Sequence, residues 1–179
     1  MPRLFVGLDL PAAIDEHLDL LSGGVPGARW EGRDRLHATL RFVGDIEGAQ
    51  VTALYRALDE VQAPSMTLQI AGVGVFPPRG EAKVLWAGFA DDRAIVELQR
   101  RIERALQRAG FEPEARKFTA HVTLARLRNS PQDRVAAFLS HNALLRTAAF
   151  EVTGFFVYSS VLGPAGPKYR IERHYPLVG

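Results

Sequence analysis

The sequence predicts an α+β fold whose order of elements is loosely repeated in its two halves. Segments of alternating apolar and polar residues are interspersed with segments of helical periodicity, and short turns join several of the strand-like segments. The phrase His-x-Thr-Leu also occurs once in each half, as HATL at 37–40 and HVTL at 121–124. No linker-like or low-complexity segment separates the halves, so residues 1–179 are predicted to form one domain.

The first half is predicted to run strand, helix, strand, helix. Residues 3–9 alternate as a strand, and Pro11 begins a helix with one apolar face that ends in the glycine-rich loop 23–27. Residues 36–44 again have strand character. Residues 50–61 place valine and leucine at helical spacing, which indicates a second helix.

The middle of the chain is predicted to form a long hairpin followed by a helix. Residues 66–76 and 83–89 flank the turn-forming stretch PPRGEA and so form an antiparallel pair. Residues 91–109 carry the clearest amphipathic pattern, and Gly110 ends it. The remaining predicted elements are a strand over 118–127, a helix from 129–131 to about Leu139, and strands over 148–160 and 168–177 joined by a Gly-Pro turn.

The composition is that of an ordinary globular protein, with 47% hydrophobic and 23% charged residues. The absence of cysteine excludes disulfides, thiolate metal sites and cysteine nucleophiles, and it fits a cytoplasmic location. The N-terminal segment is too short and too charged for a signal peptide, and no membrane association is predicted. Arginine supplies most of the 22 basic residues, which favours forked recognition of phosphate.

The repeated phrase places two polar side chains together in each half. In a strand, residues i and i+2 point to the same face, so His37 projects with Thr39 and His121 projects with Thr123. Chance is a poor explanation for two such phrases among five histidines. The alternative is a pair of core histidines, each hydrogen-bonded to the neighbouring threonine.

Two imidazoles that face one cleft can divide acid and base work, because histidine titrates near neutral pH. One can take a proton from an attacking water and the other can protonate a departing oxygen, while threonine hydroxyls donate to phosphoryl oxygens. A zinc site would need a third or fourth ligand, and neither phrase has one at ligand spacing. Phosphate-loop, nucleophile-elbow and ligase-lysine motifs are missing, so the prediction is phosphodiester cleavage without metal, cofactor or ATP.

These phrases and their flanks resemble a known family. The opening RLFVGLDLP, the phrase LHATLRFVGDI and the later FTAHVTLARL are similar to the two-histidine (2H) phosphoesterase superfamily, and within it to RNA 2',3'-cyclic phosphodiesterases, also called 2'-5' RNA ligases (LigT/ThpR-like). The resemblance implies two pseudo-symmetric lobes, each an antiparallel sheet with helices outside, and a catalytic cleft between the sheets. Residues 1–179 would form a single bilobal domain with one motif in each lobe.

The resemblance also implies which residues form the site. The catalytic residues would be His37 and His121, the phosphate-binding residues Thr39, Thr123 and Arg126, and the base-stacking residue Phe42. Arg126 and Phe42 each lie five residues after a histidine, where simple alternation points them to the opposite face. A bulge or a strand end is needed to turn them back.

The implied reaction opens an RNA terminal 2',3'-cyclic phosphate to a 2'-phosphomonoester, with His37 protonating the leaving 3'-oxygen and His121 activating water. The reverse reaction would join a 5'-hydroxyl RNA end without ATP. The expected partner is therefore RNA, bound by a monomer. Candidate rim residues for the RNA backbone are Arg35, Arg41, Arg116, Lys117 and Arg128, and Trp30, Tyr158 and Tyr169 are either stacking surfaces or core.

Two other functions are compatible with the sequence. The same site could act on a 2'-5' oligonucleotide, a cyclic nucleotide or another small cyclic phosphate. The chain could also be a non-catalytic RNA-binding module, although both intact motifs favour an enzyme.

Overall fold

A computed structural model describes residues 3–179 and has the predicted α+β fold. Its helices are α1 Ala12–Asp19, α2 Ala49–Asp59, α3 Arg93–Arg108 and α4 Gln132–His141, with a 3₁₀ turn at Arg33–Arg35. Its strands are β1 Arg3–Asp9, β2 Ala28–Trp30, β3 His37–Asp45, β4 Met66–Leu68, β5 Ile70–Phe76, β6 Val84–Phe89, β7 Val122–Leu127, β8 Phe150–Val152, β9 Gly154–Gly163 and β10 Gly166–Pro176.

Most strands belong to one antiparallel sheet in the order β10-β9-β1-β3-β7-β6-β5, and β2 pairs with β7. The two motif strands, β3 and β7, are neighbours at its middle and are joined by a single pair of Cα partners, Ala38 and Val122. The sheet is therefore continuous through the motifs, where two separate sheets were expected. Its β10-β9-β1-β3 half contains both the first and the last strand of the described residues, so the halves of the sheet are not the halves of the sequence.

Two predicted strands are each divided because their parts pair with different partners. The segment 66–76 forms β4, which pairs with β8 in a separate small sheet, and β5, which pairs with β6. The segment 148–160 likewise divides into β8 and β9. β2 lies in a predicted loop, since three residues are too few to show a period-two pattern.

Helix α3 packs in the core and also binds a residue of the motif strand β3. α3 buries Ile95, Leu98, Ile102 and Leu106 at the predicted spacing. Arg41 of β3 is only 8% exposed and donates from Nε to Glu103 of α3 at 2.7 Å. The prediction of Arg41 as a rim residue for RNA is therefore wrong: the side chain is buried because it ties β3 to the helix behind the sheet.

Candidate active site

The strand register brings the two motifs together. Because Ala38 and Val122 are antiparallel Cα partners, His37 lies across from Thr123 and Thr39 lies across from His121. All four side chains project from the same face of the sheet. On this face lies a pocket of about 320 Å³, whose walls include His37, Thr39, Phe42, Thr123 and Arg126, together with Arg3, Phe5, Glu31, Arg35, Ser160, Leu162, Pro167 and Tyr169. His121 lies next to this wall, beside Thr39, and does not line the pocket itself.

Both histidines are held by the same local contact. Nδ1 of His37 donates to the carbonyl oxygen of Arg35 at 2.7 Å, and Nδ1 of His121 donates to the carbonyl oxygen of Thr119 at 2.7 Å. A carbonyl oxygen can only accept, so each neutral ring carries its proton on Nδ1 and presents an unprotonated Nε2. Nε2 of His37 accepts from the Thr39 hydroxyl at 2.9 Å. Within residues 3–179, Nε2 of His121 has no hydrogen-bond partner.

Three aromatic rings lie close to His37. The ring centroid of Phe5 lies 4.8 Å from that of His37, and those of Tyr169 and Tyr158 lie 5.1 Å and 5.9 Å away. The Tyr169 ring stands edge-on to the imidazole at 88°. These rings remove water from around His37 and fix the plane of its ring.

His121 has an aromatic support of its own. Its ring centroid lies 5.0 Å from Phe76 and 6.3 Å from Trp86. Trp86 lies directly over Gly74, where any Cβ would overlap the indole ring. A glycine on β5 therefore allows the tryptophan to pack against the histidine.

Burial lowers the pKa of both histidines. For His37, burial is the main cause, and the positive charges of His121 and Arg126 lower the pKa further, whereas the Arg35 carbonyl and the Asp9 carboxylate oppose them. For His121, burial again lowers the pKa, assisted by Arg126. Both imidazoles are therefore neutral near pH 7 in the free protein.

A bulge in β3 turns Phe42 into the pocket. Val6 and Gly7, which are successive residues of β1, pair with Arg41 and Thr39. Leu40 between them has no partner in β1 and is the extra residue of a bulge. The extra residue reverses the alternation, and Phe42 faces the same side as His37, with 49% of its surface exposed.

β7 has a bulge at the corresponding position. Leu85 and Trp86, which are successive residues of β6, pair with Ala125 and Thr123. Leu124 therefore has no partner in β6. Arg126 therefore shares the face of Thr123 and lines the pocket. The two bulges confirm the requirement stated from the sequence, and each occurs one residue after the motif threonine.

Glu31 is a pocket residue that the sequence did not reveal. Its carboxylate accepts from Nε of Arg35 at 3.0 Å and lies 3.9 Å from Nε of Arg126. Its backbone N–H donates to Leu124 at 2.9 Å, which fixes it beside the bulge of β7. An isolated acid after a short strand carries no recognisable sequence signal.

The other candidates are divided by the fold. Arg35 and Tyr169 line the pocket, the Tyr158 ring lies 5.9 Å from that of His37, and Trp30 packs against Phe138. The remaining basic candidates and the other three histidines do not line the pocket; they are Arg116, Lys117, Arg128, His17, His141 and His174. Within residues 3–179, no three His, Cys, Asp or Glu side chains gather as metal ligands. No helix of this part of the chain is long and apolar enough to cross a membrane.

Comparison with known proteins places the chain in a family. The family described as LigT like Phosphoesterase matches residues 8–86 and 89–169. A protein of Archaeoglobus fulgidus named RNA 2',3'-cyclic phosphodiesterase is 29% identical over 172 residues, covering 94% of this chain and 96% of the relative. A protein of the same name from Aquifex aeolicus is 27% identical over 184 residues, covering 99% and 98%.

A solved structure has the same fold. The crystal structure of Escherichia coli LigT complexed with 3'-AMP superposes with a TM-score of 0.80 at 24% identity, covering 100% of both chains. The family match spans both motifs. This chain belongs to the LigT-like phosphoesterase family.

Proposed function

We propose that this protein hydrolyses RNA terminal 2',3'-cyclic phosphates to 2'-phosphomonoesters, with His37 as general acid and His121 as general base. The observation that carries the proposal is the pair of imidazoles on one sheet face, each with Nδ1 tied to a carbonyl oxygen. This contact leaves both Nε2 atoms available for proton transfer. The names of the full-length relatives support the choice of substrate.

In the proposed reaction, His121 removes a proton from water as the water oxygen attacks phosphorus. The bond from phosphorus to the 3'-oxygen breaks, and His37 donates its Nε2 proton to that oxygen. Thr39, Thr123 and Arg126 donate hydrogen bonds to the non-bridging phosphoryl oxygens, where negative charge accumulates.

The surroundings of the two rings support this division of roles. A base must reach water, and Nε2 of His121 has no partner within the described residues. An acid must hold a proton and release it towards the substrate. When His37 is protonated, Nε2 can donate to the Thr39 oxygen at 2.9 Å, and the Thr39 hydroxyl is then free to donate to the phosphate.

The negative charge of the substrate supplies the required protonation. Burial keeps His37 neutral in the free protein. A bound phosphodiester anion next to the ring raises its pKa, because opposite charges within hydrogen-bond reach favour the charged form. By microscopic reversibility the same residues would join a cyclic phosphate end to a 5'-hydroxyl RNA end without ATP, with the two roles exchanged.

The test is incubation of the purified protein with nucleoside 2',3'-cyclic phosphates and with a short RNA ending in one, in the presence of a chelator. The expected product is the 2'-phosphate, resolved from the 3'-phosphate by chromatography. His37→Ala and His121→Ala should each lower turnover by about a thousandfold or more. His141→Ala is the matched control, because this histidine is exposed at the end of α4.

The possible results separate the alternatives. A 3'-phosphate product would reverse the proposed leaving group, and activity lost with chelator would contradict the metal-free mechanism. RNA binding without turnover, unaffected by either motif substitution, would indicate a non-catalytic module. Incubation with a 5'-hydroxyl RNA tests ligation separately.

A further inference from the structure

Glu31 occupies an unusual place for a carboxylate, the wall of a pocket proposed to bind an anion. Its side chain is only 11% exposed. Two guanidinium groups lie against it, with Nε of Arg35 at 3.0 Å from one oxygen and Nε of Arg126 at 3.9 Å from the other. A buried carboxylate is costly unless cations and hydrogen bonds offset its desolvation; both arginines supply positive charge, and Arg35 also supplies a hydrogen bond.

The atoms used by Glu31 determine what each arginine can still bind. A guanidinium group has five N–H donors, and in both arginines the ion pair with Glu31 is made through Nε. Within residues 3–179, neither arginine makes a side-chain hydrogen bond through its terminal nitrogens. The edge that binds a phosphate in a bidentate manner therefore remains free on both residues.

Arg35 is well placed to use this free edge. Its side chain is 17% exposed and lines the pocket, whereas that of Arg126 is 63% exposed. A Cβ on Gly166, at the turn between β9 and β10, would lie 3.6 Å from Nη1 of Arg35. The Arg35 side chain is thus confined between Glu31 and this turn, and little side-chain entropy remains to be lost on binding.

We infer that Glu31 is a positioning residue that holds Arg35 and Arg126 as a pair, and that Arg35 is a second guanidinium contact to the substrate phosphate. This inference rests on the proposed function for the identity of the substrate. It predicts a change in phosphate affinity, on removal of the Glu31 charge, that is opposite in direction to the change that simple electrostatics predicts. A negative charge next to an anion site repels the anion, so its removal alone would tighten phosphate binding. If Glu31 instead holds the two arginines in place, its removal weakens binding.

The first experiment measures binding of inorganic phosphate by calorimetry and hydrolysis of a nucleoside 2',3'-cyclic phosphate. Glu31→Gln should weaken phosphate binding and raise KM, each by about tenfold, with a smaller change in kcat. Glu31→Asp keeps the charge on a shorter side chain and should give an intermediate loss. The matched control is Glu97→Gln, because Glu97 on α3 also lies within 3.1 Å of Nε of Arg101 but is outside the pocket.

The second experiment tests whether Glu31 acts through the arginines. Arg35→Gln and Arg126→Gln should each raise KM. When Glu31→Gln is added to the variant that carries both arginine substitutions, KM should change by less than about twofold. Arg35→Gln leaves the backbone carbonyl that holds His37, so its effect reports on the side chain. Circular dichroism confirms that each variant is folded.

Several results would overturn the inference. These are tighter phosphate binding in Glu31→Gln, an unchanged KM in Arg35→Gln, or an equal effect of Glu31→Gln with and without the two arginines. Phosphate binding does not depend on turnover. A protein that binds phosphate as expected but hydrolyses no cyclic phosphate would contradict the proposed function and leave the positioning role of Glu31 supported.

Discussion

At the scale of single residues, the hydrogen bond at Nδ1 determines the chemistry open to each histidine. His37 and His121 donate to carbonyl oxygens two residues earlier in the chain, at 2.7 Å in both cases. This contact fixes the tautomer and prevents each ring from turning over. A core histidine would need a partner on both ring nitrogens, so the unpartnered Nε2 of His121 within residues 3–179 favours the catalytic interpretation over the structural one.

The lowered histidine pKa values predict a difference between two pH profiles. Catalysis requires one imidazole protonated and one neutral, and burial holds the pKa of both histidines in the free protein below the ordinary value for histidine. The ratio kcat/KM should therefore begin to fall, as pH rises, at a lower pH than an ordinary histidine would give. The bound anion raises the pKa values, so kcat should fall only at a pH about one unit higher. Initial rates between pH 4 and 9 measure both profiles, and coincident basic limbs would contradict the assignment.

Thr39 provides a test of the hydroxyl contribution at the same scale. Thr39→Val keeps the shape of the side chain but removes the oxygen that lies 2.9 Å from Nε2 of His37. Turnover should fall by about 100- to 1000-fold, the usual cost of removing one donor to a developing oxyanion. Thr39→Ser restores the hydroxyl and should retain most of the activity. Equal losses in both variants, measured as kcat, would mean that the methyl group matters more than the oxygen.

At the scale of elements, the two bulges decide which side chains meet the substrate. Leu40 in β3 and Leu124 in β7 are each the extra residue of the bulge that follows the motif threonine. Without these bulges, Phe42 and Arg126 would point away from the histidines, because side chains alternate along a strand. The matching positions of the bulges agree with the loosely repeated order of elements in the sequence.

Substitution of Gly74 tests whether β5 supports His121 through the ring of Trp86. Gly74→Ala places a Cβ within the ring of Trp86, which packs against His121. The indole must move, so we expect a loss of about 1–3 kcal/mol in the free energy of unfolding and a lower kcat. Urea unfolding followed by tryptophan fluorescence measures the first effect, and initial rates of cyclic phosphate hydrolysis measure the second. Gly163→Ala is the control, since its nearest contact would be 3.4 Å; equal behaviour of the two variants would contradict the prediction.

At the scale of the whole molecule, the topology interlocks the two sheet halves. β9 and β10 come last in the chain yet extend the half that begins with β1, while β5, β6 and β7 come from the middle. The buried apolar residues form one continuous core. We therefore propose that the predicted bilobal unit is a single domain.

A single cooperative unit should unfold in one step. The two tryptophans, Trp30 on β2 and Trp86 on β6, both lie in the half of the sheet formed by β2, β7, β6 and β5. Tryptophan fluorescence therefore follows that half alone. Far-UV circular dichroism follows both halves. The two signals should give the same urea midpoint, within about 0.2 M, if the transition is two-state. Two separated midpoints would mean that the lobes are independently stable.

The sequence by itself determined the elements and the central pair of the proposed site. Periodicity identified β1, α2, α3 and the β5-β6 hairpin, because these patterns depend on which residues must face a core. The doubled His-x-Thr-Leu phrase indicated two histidines and two threonines, because i and i+2 share a face in any strand.

Only the tertiary structure decided how these pieces meet. The joining of the sheet at Ala38 and Val122, the burial of Arg41 against Glu103 and the placement of Glu31 between two arginines all depend on contacts between residues distant in sequence. Local patterns report whether a side chain is inside or outside, but they do not specify its partner. The partner is fixed by strand register and by the bulge that follows the motif threonine in each strand, whose extra residue reverses the alternation on which sequence reasoning depends.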